Sequence, residues 1–404
     1  MNPKPRLIVI FLTVLVDLIG FGIILPLLPV FAKQYGASGL VVGVLMAAFS
    51  AMQFVFGPIW GRISDRIGRR PVMLASSAVA ALSYVVFALG CGFQGAAALW
   101  IFFVSRLIAG ACGANITVAQ AYIADITPPA DRSRRMGLVG MAFGLGFIIG
   151  PAIGALSVRW LGTPGPGWVA AAICLVNFIS ATIFLKESWT PQAEHVRPRP
   201  HMEQWVHILR QPAIALLIGV FFFMMISFSC FETTMGLLVI KNFNLDLAHP
   251  HDVQVIGYLF TYCGLIGALV QGGLIGRMVK AFGEPKLIAL SLILVAASFF
   301  PLPFLTQWPP LLVAIGVLAF GSSLARPPLF GLLSRLVPAD EQGATLGVAQ
   351  SAGSLGRIFG PIMAGTLMHV RLAPANDLAA PYLVCGVIAL LTGLFAGRYL
   401  SRPL

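Results

Sequence analysis

Residues 142–154, AFGLGFIIGPAIG, decide how this chain folds. Ala142, Gly146, Gly150 and Gly154 recur at every fourth position, and Pro151 follows the third of them. Positions four apart share one face of an α-helix, so the stretch is a helix with a flat stripe that lets a neighbouring backbone approach closely. Pro151 lacks an N–H and bends that helix. Residues 352–364, AGSLGRIFGPIMA, repeat the arrangement with Ala352, Gly356, Gly360, Pro361 and Ala364. The tripeptide PAD precedes both copies, at 129–131 and 338–340. One such stripe is common in apolar helices; two with the proline in register mark an internal duplication.

The duplicated unit is a bundle of membrane helices. The chain has 404 residues, 58% of them hydrophobic and 10% charged, and a mean hydropathy of +0.91. A soluble domain of that size needs more polar surface to cover its core. Long apolar runs without strand-like alternation favour helices over a barrel. The runs fall at 7–31, 40–60, 72–91, 97–123, 137–159, 168–186, 212–240, 254–276, 287–305, 310–333, 343–369 and 380–400, which is twelve transmembrane helices. Lys4 and Arg6 precede the first run, which has no small-residue cleavage site and so reads as a retained span. The longest polar stretch, KESWTPQAEHVRPRPHMEQWVHILRQ, follows the sixth run. We therefore expect a six-helix bundle over 1–186, a linker over 187–211 and a second six-helix bundle over 212–404. Within the linker, MEQWVHILR has the pattern of a short amphipathic helix lying on the bilayer surface.

The formal net charge of +12 does not point to nucleic acid, because the charges are sorted by side. Lys33, Arg159, Lys241 and Arg371 lie at one set of span ends, and most other Lys and Arg lie at the opposite set. That asymmetry places both termini and the basic loops in the cytoplasm, as expected for a multi-pass protein of the cytoplasmic (inner) membrane. The six cysteines fall in or beside spans and read as small core residues. His195, His201 and His207 are spaced too widely for a compact helical metal site. No GxxxxGK[ST] loop and no hydrolytic constellation occurs, so we expect no enzyme, no metal and no cofactor.

A second pair of segments strengthens the duplication. GPIWGRISDRIGRRPVML carries Gly57, Gly61, Arg62 and Gly68, and GGLIGRMVKAFGEPKLI carries Gly272, Gly276, Arg277 and Gly283 at matching places. Their charges are inverted, since Asp65 and Arg69 correspond to Lys280 and Glu284. Duplicated helix bundles of this kind point to a transporter. Here the residues also carry a family. GRISDRIGRRPVML resembles the loop between the second and third helices of the major facilitator superfamily, and GLGFIIGPAIGA the fifth-helix motif of its proton-linked exporters. RLIAGACGANITVAQAYIAD resembles the fourth-helix motif built around an arginine, and DLIGFGIILPLLP the first-helix pattern. Together they are similar to the drug/proton antiporters of the tetracycline-efflux-like branch, over essentially the whole chain. The resemblance implies alternating access around a central cavity lined mainly by spans 1, 4, 7 and 10. It also gives a gating group: Gly61 and Gly68 permit a tight turn, and Asp65 meets a helix N-terminus or an arginine in one state and releases it in another. Arg66, Arg69 and Arg70 serve that latch or simply anchor the loop. The inverted Lys280 and Glu284 put a symmetric second latch in doubt. Gly146, Gly150, Pro151 and Gly154 complete the group.

Charges inside membrane helices are functional candidates, with a structural ion pair as the rival. They are Asp17, Arg106, Glu232, Arg326 and Arg357. Helical spacing puts Arg106, Gly110, Gly113, Thr117 and Gln120 on one face of a continuous fourth span and turns Asn115 away. Asp17 and Arg106 lie near the bilayer middle on spans that the family packs side by side. A carboxyl there is pulled one way by burial and the other by a guanidinium, and a motion that changes either changes its hold on a proton. We therefore expect Asp17 to carry the proton and Arg106 to tune it, with a static ion pair as the alternative. Thr117, Gln120, Glu232, Arg326 and Arg357 are expected at the substrate cavity. Glu232 reads as a cation-binding or second protonation site, or as a structural acid. Arg357 stands where the repeat has Phe147, and Arg326 precedes an expected helix break in SSLARPP. The function expected is a monomeric, proton-coupled exporter of a small amphipathic compound, its partners being that substrate, protons and the lipid bilayer. A proton-linked symporter or uniporter of an organic anion and a non-transporting sensor or lipid-handling protein remain open.

Overall fold

The computed structural model describes residues 4–113, 115–128, 132–188, 201–246, 249–337, 342–370 and 378–400. Every regular element among them is helical. The first eight are α1 (Lys4–Ile24), α2 (Leu28–Gln34), α3 (Gly39–Ile67), α4 (Arg69–Gly90), α5 (Gly95–Ala111), α6 (Asn115–Asp125), α7 (Arg132–Leu161) and α8 (Gly165–Phe184). There follow α9 (His201–Leu209), α10 (Pro212–Phe243), α11 (Pro250–Leu269), α12 (Ile275–Phe282), α13 (Glu284–Phe299), α14 (Trp308–Leu336), α15 (Gln342–Leu367) and α16 (Ala379–Leu400). A π-turn at Val270–Leu274 joins α11 to α12.

Among the described residues, 11 helical stretches are long and apolar enough to cross a membrane. The remaining expected span is α15, which is helical over 26 residues but less apolar. Its Gln350, Ser351, Ser354 and Arg357, and the glycines of its stripe, account for the difference. The architecture is thus the expected all-α membrane protein. The linker helix forms as α9, whose Ile208 and Trp205 pack against the apolar cluster around α10. His195 and Arg371 lie outside the described residues.

The small-residue stripes do the same thing in both halves. On α7, a Cβ built at Gly146 would lie 2.8 Å from Leu18 Cβ, one at Gly150 2.7 Å from Gly22 Cα, and one at Gly154 2.6 Å from the Ile23 carbonyl. The α1 backbone therefore rests directly on α7. On α15, Cβ atoms at Gly356 and Gly360 would lie 2.8 Å from the Phe222 carbonyl and 2.6 Å from that of Ile226, so α10 rests on α15 in the same manner.

By internal contacts the chain divides into two compact units, Met1–Pro191 with Leu245–Gly264, and Gln192–Asn244 with Leu265–Leu404. The sequence-based partition places 245–264 in the second bundle. In the structure that segment sits with the first, because Gly257 and Gly264 of α11 lie against the Pro151 and Phe147 carbonyls of α7.

Two spans depart from straight helices. The first breaks between α1 and α2, where Pro26 and Pro29 follow each other closely. The fourth, expected to be continuous, breaks between α5 and α6. At Gly110 α5 crosses so close to the Phe49 backbone of α3 that no side chain fits. The carbonyls freed at this break are taken by side chains: Trp60 Nε1 donates to Ala111 (2.6 Å), Ser76 Oγ to Cys112 and Gln53 Nε2 to Gly113 (3.4 Å). Buried carbonyls need such partners, so the break is a built feature that starts α6 at Asn115.

Candidate functional site

Asp17 projects from the middle of α1, and its two oxygens are held by two asparagines. Asn115, at the start of α6, donates through Nδ2 to Asp17 Oδ2 and also to Ser77 Oγ at 3.0 Å. Asn177 of α8 donates through Nδ2 to Asp17 Oδ1 at 2.9 Å and to the Thr13 carbonyl at 3.0 Å. Thr13 turns its own hydroxyl back to the Val9 carbonyl (2.9 Å). Asp17 is half-buried, whereas both asparagines are buried.

Arg106 does not close on Asp17. It is 3% exposed, and its guanidinium carbon lies 5.6 Å from the Tyr84 ring centroid and 5.8 Å from that of Phe87. Its polar contact is a long bond from Nη2 to Ser105 Oγ (3.5 Å), and its Nε has no hydrogen-bond partner among the described residues. Two aromatic faces thus stabilise the cation where a carboxylate was expected. Tyr84 touches both sides: its ring also packs at Gly20 of α1, and it lies within electrostatic range of both charges. The structure therefore places Arg106 behind Tyr84 and gives Asp17 neutral partners. Asn115 and Asn177 are the residues that sequence reasoning missed. A helix wheel drawn through 112–114 turned Asn115 away, but the break resets the register there. On α6, Thr117 is exposed and faces Gly57 and Gly61 of α3, and Gln120 is half-buried.

A second cluster lies at the α3–α4 turn. Gly68, with φ of 102°, makes the turn; Gly61, expected to share that task, lies inside α3 opposite Thr117. The backbone N–H groups of Arg69 and Arg70 at the start of α4 donate to Glu187 Oε1 and Oε2 at 2.9 and 3.1 Å. An anion at a helix N-terminus satisfies free donors and the positive end of the dipole. Glu187 thus holds the place that Asp65 was offered as one option, and a Cβ at Gly68 would strike its carboxylate. Asp65 takes the other option, pairing with Arg69 Nη1 at 2.5 Å. Arg69 also bonds Asp125 Oδ2 (3.1 Å) and Ser64 Oγ (2.7 Å), while Arg70 Nη2 reaches the Thr182 carbonyl (2.7 Å) and Arg66 is exposed. The signal for Asp125 and Glu187 was present as lone acids closing the fourth and sixth spans.

In the second unit, Glu232 of α10 is buried and within electrostatic range of Arg357 on α15. Arg357 is also within range of Arg326 on α14, whose guanidinium lies 5.9 Å from the Phe330 ring. These candidates therefore form one cluster. The helix break expected after Arg326 does not occur: α14 runs through Pro327 and Pro328. The counterpart of the α3–α4 turn is Gly283, with φ of 76°, and Glu284 after it pairs with Arg335 of α14. Arg69 corresponds to Glu284, and Asp125, at the end of α6, to Arg335 near the end of α14. The ion pair is kept with its charges exchanged.

The family profile of the Major Facilitator Superfamily matches residues 10–278 and 251–404. The chain is 32% identical to the Tetracycline resistance protein, class C, of Escherichia coli over 95% of its length and 96% of that protein's. It is 30% identical to Multidrug resistance protein 2 of Bacillus subtilis, covering 91% of this chain and 90% of that one. Its fold matches the crystal structure of the human organic anion transporter MFSD10 (TETRAN) with a TM-score of 0.70 and 25% identity, over 98% of this chain and 100% of the other. The duplicated bundle, the α3–α4 turn and these likenesses have one meaning: the chain is a transporter of the Major Facilitator Superfamily.

Proposed function

We propose that this transporter exports a small amphipathic compound in exchange for protons by alternating access, with Asp17 carrying the proton. One observation carries the reading: a half-buried carboxyl in a membrane helix, held by neutral amides and not by a guanidinium. A direct arginine pair would keep the acid ionised throughout the cycle. Amide partners leave its charge to be set by hydration, which alternating access changes. Arg106 acts at a distance through Tyr84. Each proton moving inward across ~100 mV releases about 2.3 kcal/mol, a useful drive for one export event. The names of the efflux relatives support a drug-like substrate. Thr117, Gln120, Glu232, Arg326 and Arg357 would line its path. The turn cluster of Asp65, Arg69 and Asp125 would gate it from the cytoplasmic side, where both termini lie, in a monomer of the inner membrane.

A second reading has its own observation. Two arginines against one buried glutamate in the second unit would suit an organic anion, the substrate class named for the human structure. Proton flux in proteoliposomes separates the two. Tetracycline or ethidium added to vesicles with an imposed pH gradient should dissipate it, and Asp17→Asn should abolish the effect. Full substrate-driven proton flux in Asp17→Asn defeats the proposal. Flux driven by aromatic carboxylates in the same direction as the proton favours the second reading.

A further inference from the structure

The two asparagines that hold Asp17 are not equivalent. Asn177 Nδ2 donates to Asp17 Oδ1 and also to the backbone carbonyl of Thr13. A carbonyl accepts and never donates, so Asn177 keeps its N–H on that side whatever the charge of Asp17. Turning its amide over would set two oxygens against each other. Asn115 Nδ2 donates to Asp17 Oδ2 and to the Ser77 hydroxyl, and a hydroxyl both donates and accepts. The Oδ1 of Asn115 is meanwhile buried without a hydrogen-bond partner among the described residues. That oxygen is therefore an acceptor available to the carboxyl in a second arrangement.

Resting on the reading of Asp17 as proton carrier, we propose that the proton lands on Oδ2 and that Asn115 reports it by turning its amide over. With Asp17 ionised, Asn115 donates to it. When hydronium arriving along the water path gives its proton to Oδ2, its O–H bond breaks, water is left, and the new Oδ2–H donates to Asn115 Oδ1, with the Ser77 O–H donating to the same oxygen. No other covalent bond changes. Asn177 donates to Oδ1 in both states. Asn115 therefore serves both charge states, whereas Asn177 favours the ionised one.

The other titratable groups facing the site are Tyr84 of α4 and Cys174 of α8, with Arg106 of α5 behind the Tyr84 ring. The face of α7 against α1 presents Gly146 and Gly150. These groups are the same in every variant below, so differences between variants belong to the amides.

Infrared difference spectroscopy of the purified protein in lipid, without substrate, follows the carboxyl band that Asp17→Asn removes. Asn177→Leu should raise the pH midpoint of that band by about one to two units, the value of one hydrogen bond to a charged group. Asn115→Leu should move it by less than about half a unit. Asn115→Thr, whose hydroxyl serves both states, should match the unaltered chain. Equal upward shifts in Asn115→Leu and Asn177→Leu, or no shift in Asn177→Leu, overturn the proposal. In the unaltered chain, the side-chain ¹⁵N signal that Asn115→Thr removes should change across the midpoint; a signal that stays constant overturns it too. Transport is not used, so loss of the asymmetry leaves the carrier reading standing. Full proton flux in Asp17→Asn removes the carrier reading, and the absence of any titrating band removes both.

Discussion

Replacing Gly150 by alanine puts a methyl group where the α1 backbone already is. The new Cβ would lie 2.7 Å from Gly22 Cα, 2.8 Å from Gly22 C and 2.8 Å from the Ile19 carbonyl. All three are backbone atoms, so none can swing aside. Carbon atoms rest at roughly 3.5–4.0 Å, so α1 and α7 must part by about 1 Å at this point. Overpacking of this kind costs about 1–3 kcal/mol, and backbone neighbours place it in the upper half of that range. The better helix propensity of alanine returns about 1 kcal/mol. The expected net loss is about 1–2 kcal/mol. Gly144, on the same helix, has nothing within 4 Å of a built Cβ, so Gly144→Ala should gain about 0.5–1 kcal/mol. The free cysteines Cys174, Cys230 and Cys385 are buried and provide the readout. A fluorogenic thiol reagent added during a temperature ramp lights up as they become exposed. Gly150→Ala should lower the midpoint by a few degrees and Gly144→Ala should raise it slightly. A Gly150→Ala protein as stable as the unaltered chain would refute direct backbone contact between α1 and α7.

Trp60→Phe keeps an aromatic ring but removes the indole N–H, leaving the Ala111 carbonyl at the α5–α6 break without its donor, and should cost about 1–3 kcal/mol in the same thiol ramp; no loss would mean that water fills the place. Glu187→Gln keeps one acceptor for two N–H groups at the start of α4. Because Glu187 is exposed and water competes, the expected loss is about 1 kcal/mol, read as a lower midpoint; an unchanged midpoint in low salt would deny the cap. Glu284→Arg and Arg335→Glu should each impair transport of whichever probe the chain accepts, and together should restore it; a double variant no better than either single one would mean that the pair is incidental.

The spans and the duplication were legible because both rest on one-dimensional patterns: hydrocarbon length and small residues four apart. Asp17 was legible for a related reason, since a carboxyl in an apolar run stands out without any knowledge of its neighbours. Its partners were not. Asn177 is an ordinary residue in an ordinary span, and it meets Asp17 through the packing of α8 on α1. Asn115 was assigned to the wrong face because the wheel assumed one helix where Gly110 and the residues after it make two. Arg106 was matched to Asp17 on charge, depth in the bilayer and the neighbouring of their spans, and the aromatic faces of Tyr84 and Phe87 that hold it carry no formal charge to signal themselves. Pro327 and Pro328 read as a break because each removes a helix N–H, although α14 continues through them.

The inverted charges at the second turn resolve differently from the way they first read. Lys280 in place of Asp65 put a symmetric second latch in doubt. Lys280 is exposed, and the residues that do pair are Glu284 and Arg335, in place of Arg69 and Asp125. Gly68 and Gly283 also keep the same backbone shape, with ψ of 160° and 158° and positive φ. A turn that had merely lost its function would have no reason to retain both a strained glycine and a bridge to the equivalent helix end. An ion pair is indifferent to which partner bears which sign, but its surroundings are not. The first turn gathers Asp65, Asp125 and Glu187 around Arg69, so a cation is needed at its centre; the second has no matching group of acids among its described residues, and a carboxylate can take the central place. The two halves have therefore kept the same turn and the same bridge while the charges followed local electrostatics, and among the described residues the first turn alone carries extra acids around its central side chain.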